Sequence, residues 1–198
     1  MSGKGIAQGK KAAIAPENIA AIRAYLETHG SARDRALFAL GVDSMLRGCD
    51  LLRLRTKDVL ASDGSVRETL SVVQSKISAG KACTVTCYLT PATRALVAAH
   101  VAGRDLDAPL FCGQGRSYAL SKAQLRLLLK AWVAAVGLDP SAHSNHSLRR
   151  TKASALYKTT KDLELVRQAL GHSHITSTQA YLGVGSDQVR SACLGLDL

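Results

Sequence analysis

A histidine, an arginine, a second histidine and a tyrosine fall in order between His146 and Tyr181, at spacings that suit chemistry on a phosphodiester. The block reads His146-Ser147-Leu148-Arg149, then Leu170-Gly171-His172, then Tyr181. A tyrosine hydroxyl can attack phosphorus, while arginines and histidines hold the charge that builds on the phosphate oxygens. On a helix, His146 and Arg149 share one face and can reach a single phosphate. A metal centre would require carboxylates or cysteines at short spacing, and none sit beside these histidines.

The chain has 198 residues, 46% of them hydrophobic, enough to bury one substantial core. Lysine plus arginine outnumber aspartate plus glutamate by 26 to 15, a formal charge of +11. Such a field attracts polyanions, nucleic acid above all; charge kept only for solubility is the plainer alternative. The cysteines, Cys49, Cys83, Cys87, Cys112 and Cys193, are odd in number and scattered, without a Cys-x-x-Cys pair. Neither zinc nor a disulfide framework is indicated. Cys83 and Cys87 share one face of an expected strand, where a free cysteine packs as a small hydrophobe. No apolar run has signal-peptide or membrane-span length, so the triplet Asn145-His146-Ser147 carries no glycosylation signal. A reduced, cytoplasmic setting is expected.

The elements that must position these residues are mostly helical. Residues 1–15 are rich in Gly, Lys and Ala and form an expected flexible basic tail, with one domain over 16–198. Pro16 suits a first helical turn, and Gly30 stops that helix. Ser31 caps a second helix through Ala36, Leu37, Leu40 and Leu46. Val66 to Val73 and Ala82 to Leu89 are rich in β-branched residues and read as a hairpin, with a basic tip at Gln74-Ser75-Lys76-Ile77-Ser78-Ala79-Gly80-Lys81. A third helix starts at Thr90-Pro91 and stops at Gly103. A fourth runs from Ser121 to Val136 and buries Leu125, Leu128, Leu129, Trp132 and Val136, before Asp139-Pro140 breaks it. Short helices follow at Ser147 to Lys158, Asp162 to Leu170 and Ser177 to Leu182, with another over Ser186 to Leu194. The expected class is α+β, mainly α, with a small antiparallel β-sheet.

With these elements in place the chain resembles the catalytic domain of the tyrosine recombinases, the phage integrase family. The resemblance rests on separate segments that together span residues 20 to 195. Met45-Leu46-Arg47-Gly48-Cys49-Asp50-Leu51-Leu52-Arg53-Leu54 is similar to the family's first arginine box. Gln74-Ser75-Lys76 is similar to its Ser-Lys-Thr turn, and the His146 to Tyr181 block fits its second box. A lone His-x-x-Arg is a weak signal; Arg47, Lys76, His146, Arg149, His172 and Tyr181 in order at fitting separations form a strong one.

That resemblance implies a catalytic role for each of these side chains. Arg47 and Arg149 clamp the non-bridging oxygens of the scissile phosphate, for which a planar, permanently charged guanidinium is suited. His146 and His172 assist on the same group. Tyr181 is the nucleophile and leaves a 3′-phosphotyrosyl link with a free 5′-hydroxyl. Lys76 is the general acid for the departing oxygen. Rejoining reverses the step, and no metal, ATP or other cofactor is implied. The expected partner is double-stranded DNA, bound by a homo-oligomer, a tetramer for four strand cuts. The tail past Tyr181 is expected to dock on a neighbouring subunit through Val189, Cys193 and Leu194.

Plainer readings exist residue by residue. Arg47 alone reads as a surface ion-pair partner, with Arg53 and Arg55 as competing phosphate contacts. Lys81 rivals Lys76 across the same turn. His172 beside Gly171 could be a helix cap, His143 and His174 read as solvated, and Tyr157 as core. Asp50 reads as a structural acid that orients the first arginine or neutralises its surroundings. Phosphate contacts are expected at Lys57, Arg116, Lys122, Arg126, Arg150 and Lys152. The residues ahead of the match are expected to be too few for the family's N-terminal core-binding domain, a layout shared with the fimbrial phase-variation invertases. The longer turn Ile77-Ser78-Ala79-Gly80 is a second departure. The alternative function is a catalytically silent DNA-binding protein of the same fold. A metal-dependent hydrolase using His143, His146, His172 and His174 and a type IB topoisomerase rank behind it.

Overall fold

Ser31 opens the helix around which the others gather. Its hydroxyl accepts from the Asp34 amide at 3.2 Å and the Asp34 carboxylate accepts from the Ser31 amide at 3.4 Å, closing a capping box on α2 (Ala32–Asp43). From Ala36 to Asp43 every residue of α2 is buried, as expected of a helix apolar on all sides. In the computed structural model, residues 11–75, 83–113 and 117–183 are described. Among them α1 (Pro16–His29) precedes α2, and the single turns α3 (Gly48–Leu51) and α4 (Thr56–Val59) lead into β1 (Thr69–Val73) and β2 (Thr84–Tyr88). Then come α5 (Pro91–Val101), α6 (Lys122–Ala135), α7 (Asn145–Thr160), α8 (Leu163–Leu170) and α9 (Ile175–Leu182).

Both α5 and α7 pack on α2, and α1 spans α2 and α6. Phe38 of α2 meets Trp132 of α6 edge to face, with centroids 5.8 Å apart, at the centre of the larger apolar cluster. A smaller cluster of Met45, Ala153, Val166 and Leu170 lies under α7, α8 and α9, with Tyr157 and Tyr181 packed against it. As expected, Ser121 caps α6, which buries Leu125, Leu129 and Trp132, while Leu128 and Val136 are half-buried.

The strands pair antiparallel, Thr69 opposite Tyr88 and Val73 opposite Thr84. They are shorter than the expected segments. Val66 bridges Leu60, and the Arg67 amide donates to the Val59 carbonyl at 2.9 Å, so these residues follow the exit of α4 instead. Part of the expected flexible tail is packed as well. Ile14 is buried and its amide donates to Thr151 Oγ1 at 3.0 Å, Ala12 donates to the Ala142 carbonyl at 3.0 Å, and Arg150 donates to the Lys11 carbonyl at 2.6 Å. A buried Ile14 side chain and the paired amides of Ala12 and Ile14 explain why Lys11 to Ala15 adhere to α7 and the turn before it. Ser186 to Leu194, with Val189, Cys193 and Leu194, lie outside the described residues. No helix among the described residues is long and apolar enough to cross a membrane.

Lys152 holds α7, α2 and the hairpin together. Its ammonium donates to the Asp43 carboxylate, to the Asp43 carbonyl at 2.8 Å and to the Tyr88 carbonyl at 3.1 Å. Burial opposes the charge on Asp43, but hydrogen bonds from Lys152 and Thr90 outweigh it and hold the carboxyl below its ordinary range. Lys152→Ala leaves that carboxylate buried without its cation and is expected to lower stability by about 2–3 kcal/mol in urea unfolding followed by circular dichroism.

Candidate active site

Arg149 lies one turn into α7 and is only 2% exposed. Carbonyl oxygens make that burial tolerable for a cation. Its guanidinium donates to the Met45 carbonyl and, at 2.6 Å, to the Leu170 carbonyl. Leu170 ends α8, so its carbonyl lacks a helical amide partner and carries the negative end of the helix. Met45 has φ of 52°, a left-handed conformation unusual for a bulky residue, and its carbonyl is one of the two that meet Arg149.

Gly171 closes α8 in the left-handed region at φ of 62°. A Cβ there would stand 2.3 Å from Val85 Cγ2 and 3.0 Å from Gln74 Nε2, so only glycine lets α8 end against the hairpin. The His172 amide donates back to the Arg167 carbonyl at 3.0 Å, which fixes where its ring begins. His172 Nε2 lies 3.5 Å from an Arg149 nitrogen, and Nδ1 lies 3.0 Å from Thr178 Oγ1. The Tyr181 ring stands edge-on to His172 at 5.5 Å, and the Arg150 guanidinium lies 5.3 Å from the Tyr181 centroid. The Tyr181 hydroxyl is 3.5 Å from the His146 carbonyl, at the weak limit of a hydrogen bond. His146 itself is exposed, in the first turn of α7 capped by the Ser144 hydroxyl.

Arg47 approaches from the α2–α3 turn and donates to Gln74 Oε1. Gln74 is buried, and its amide donates to the same Leu170 carbonyl at 3.3 Å. A continuous chain of hydrogen bonds therefore runs from Arg47 through Gln74 and Leu170 to Arg149. Beside it opens a cleft of about 120 Å³ lined by Arg47, Gln74, Cys83, Gly171, His172 and His174, among others. Asp50 braces the hairpin and adds negative charge that favours the Arg149 cation. One carboxylate oxygen accepts from the Ser75 amide at 2.8 Å, and the other is buried without a partner among the described residues.

Charges shape the titrating groups. Burial, with Arg149, Arg47 and Arg167 nearby, pushes His172 down to about 4, so the ring is neutral. Burial pushes the Tyr181 phenol up to about 12; Arg149, Arg150 and Arg47 pull the other way without cancelling it. Burial also lowers Arg149.

Of the expected catalytic residues, Arg149, His172 and Tyr181 are in mutual contact, His146 and Arg47 flank them, and Lys76 lies outside the described residues. So does Arg116. Lys57, Lys122 and Arg126 are exposed; Lys57 pairs with Asp107 at 2.6 Å. Arg150 and Lys152, expected at phosphates, are turned inward: Arg150 sits against Tyr181, and the Lys152 ammonium has its three donors engaged in packing. His143, expected to be solvated, is buried at 8% exposure. Among the described residues no group of three or more His, Cys, Asp and Glu side chains could hold a metal ion. Gln74, Met45 and Thr178 were not expected at the site. Strand alternation carried a signal for Gln74, which follows Leu70 and Val72 on the inward face. Thr178 shares a helix face with Tyr181 three residues on, whereas nothing in the sequence marks the backbone of Met45.

The sequence profile of the phage integrase family matches residues 13–186. This chain belongs to the phage integrase family. Among family relatives, it is 34% identical over 161 residues to tyrosine recombinase XerD of Xanthomonas axonopodis pv. citri (strain 306), covering 79% of this chain and 52% of that protein. The chain spans about half the length of the XerD and XerC relatives it matches, and 91% of probable integrase/recombinase YoeC of Bacillus subtilis (strain 168), to which it is 27% identical. Its fold is similar to that of the XerH site-specific recombinase bound to difH substrate, with a TM-score of 0.69, 23% identity, and coverage of 96% of this chain and 56% of that one. It is also similar to the catalytic domain of bacteriophage HP1 integrase, with a TM-score of 0.62, 15% identity, and coverage of 92% and 94%. At these identities the solved structures carry the family fold, mainly helical with a small antiparallel sheet.

For this phage integrase family member, His172 sets an acid limit on stability. The folded ring titrates near 4 and an ordinary unfolded one near 6.5, so between those values the unfolded chain binds the extra proton. Stability should therefore fall on acidification from pH 6.5 to 4, and His172→Gln should fall less steeply; equal slopes would exclude His172 as the cause. Gln74→Leu keeps the bulk but leaves Arg47 and the Leu170 carbonyl short of a partner, an expected loss of about 1–3 kcal/mol in urea unfolding.

Proposed function

We propose that this chain is a site-specific recombinase that breaks and rejoins double-stranded DNA through a 3′-phosphotyrosyl intermediate. The observation that carries it is the meeting of Tyr181 with His172, Arg149 and Arg150 within one small volume. Phosphoryl transfer needs a nucleophile in line with the phosphorus and positive charge on the oxygens that gain electron density. Tyr181 supplies the first, Arg47 and Arg149 the second, with His146 at the start of α7 and His172 at the end of α8 as neighbouring donors. The phenol must lose its proton. Burial opposes this and the guanidinium groups of Arg149, Arg150 and Arg47 favour it, so the proton passes to water as the phenolic oxygen bonds to phosphorus and the 5′-oxygen departs.

Lys76, two residues after buried Gln74, is placed in sequence to protonate the departing 5′-oxygen. The tyrosyl ester retains the energy of the broken bond, so rejoining requires neither ATP nor a second cofactor. Lys122 and Arg126 are suited to flanking phosphates, because the Asn145 amide donates to the Lys122 carbonyl at 3.0 Å and so sets the start of α6 beside the His146 turn. Lys57 and Arg116 would extend that contact. Exchange between two duplexes takes four cuts, one tyrosine each, so the working assembly is a tetramer on DNA; XerH, similar in fold, was solved on its difH substrate. A cytoplasmic setting suits the free thiols of Cys49, Cys83, Cys87 and Cys112.

Nicked suicide duplexes tiled across the DNA flanking the chain's own gene test this function. The wild-type protein should yield an adduct that survives denaturation, in the presence of EDTA, and Tyr181→Phe should yield none. DNA binding that weakens with salt but never gives an adduct would instead identify a catalytically silent DNA-binding protein.

A further inference from the structure

Several threonines within the helices of this protein satisfy their hydroxyls locally. Thr151, Thr159 and Thr160 of α7 donate to the carbonyls four residues back, at 2.8, 3.1 and 2.8 Å. Thr178 of α9 does otherwise. It is fully buried at 0% exposure, and its hydroxyl is directed at His172 Nδ1, 3.0 Å away. It stands one helical turn before Tyr181, so it joins the histidine to the helix that carries the proposed nucleophile.

The other ring nitrogen bears on which way that hydrogen bond runs. Nε2 faces an Arg149 nitrogen at 3.5 Å, and a guanidinium has donors only. At that distance the contact is weak and only inclines Nε2 to present its lone pair, so the shorter bond to Thr178, at 3.0 Å, is what keeps the proton on Nδ1, with Nδ1–H donating to the hydroxyl. In that state Nε2 cannot donate to a phosphate oxygen. A hydroxyl oxygen, unlike a carbonyl oxygen or an amide nitrogen, can both accept and donate. We propose that Thr178 is a positioning residue that holds His172 in its Nδ1–H form in the free protein and, by turning its hydroxyl, supports the Nε2–H form when a phosphate enters. In the exchange one proton leaves Nδ1 for water and one is taken from water at Nε2, so the charge of the ring is unchanged. Burial and the neighbouring guanidinium groups favour this neutral exchange over a doubly protonated ring.

This assignment deepens the recombinase function proposed above, in which His172 serves the phosphate, but its first half can be measured without DNA. Nitrogen-15 NMR of the histidines distinguishes the two neutral tautomers and the imidazolium, and His172→Gln identifies the resonance. The wild-type protein should show the proton on Nδ1. Thr178→Val, which keeps the shape and removes the hydroxyl, should move it toward Nε2, and Thr178→Ser should restore it. An unchanged Nδ1–H signature in Thr178→Val, with the variant folded by circular dichroism, would overturn the proposal.

The second half is read on the nicked duplexes. Thr178→Val should slow adduct formation by about tenfold or more, within the range found when one transition-state donor is impaired, at unchanged DNA affinity, with Thr178→Ser close to wild type. Equal rates in Thr178→Val and wild type would overturn the role in cleavage. If the wild type itself forms no adduct, the recombinase function fails, while the tautomer measurement still decides the part played by Thr178.

Discussion

A guanidinium nearly sealed from water is the constraint on which the rest of this site depends. Arg149 keeps its charge at 2% exposure because two main-chain carbonyls are turned toward it, one from a residue in a left-handed conformation and one from the last residue of a helix. Neither carbonyl could be there if the chain took an ordinary course. Met45 adopts a conformation disfavoured by its own side chain, and α8 stops where a glycine lets it press on the hairpin. Loss of either feature would strand a buried charge, and a stranded charge is more damaging than a missing contact.

Leu170 shows how the separate segments become one site. Its carbonyl receives both Arg149 and Gln74, and Gln74 in turn receives Arg47. Arginines separated by about a hundred residues of sequence are thus spaced by a single helix end rather than by contact with each other, which their like charges would resist. In the free protein these donors are satisfied by carbonyl and amide oxygens. A phosphate would offer the same guanidinium groups oxygens of higher charge, so its binding would exchange one set of partners for a stronger one. The neutral His172 and the protonated Tyr181 belong to that resting arrangement.

Much of this was legible in the sequence, for identifiable reasons. Ser31, Ser121 and Pro16 mark helix starts through local chemistry, which no tertiary contact overrode. Arg149, His172 and Tyr181 could be singled out because reactive types at fixed spacing are rare by chance. What stayed hidden is whatever depends on where distant segments meet. Lys152 looks like any surface lysine until Asp43 is brought beneath it, and Arg150 looks like a phosphate contact until Tyr181 folds under it. Lys11 to Ala15 pack although the glycines and lysines of the N-terminal tail outweigh Ile14, which finds a socket on α7. Backbone conformation at Met45 left no compositional trace at all.

The division of the interior into a large cluster and a small one has an optical consequence. The only tryptophan, Trp132, is almost fully buried against Phe38 in the large cluster, while the small one beneath the site contains none. Its emission therefore follows collapse of the main body. Loosening confined to α8 and α9 would pass unseen at that wavelength, and Tyr157 and Tyr181, or a probe placed among them, would be needed to register the part that carries the candidate site.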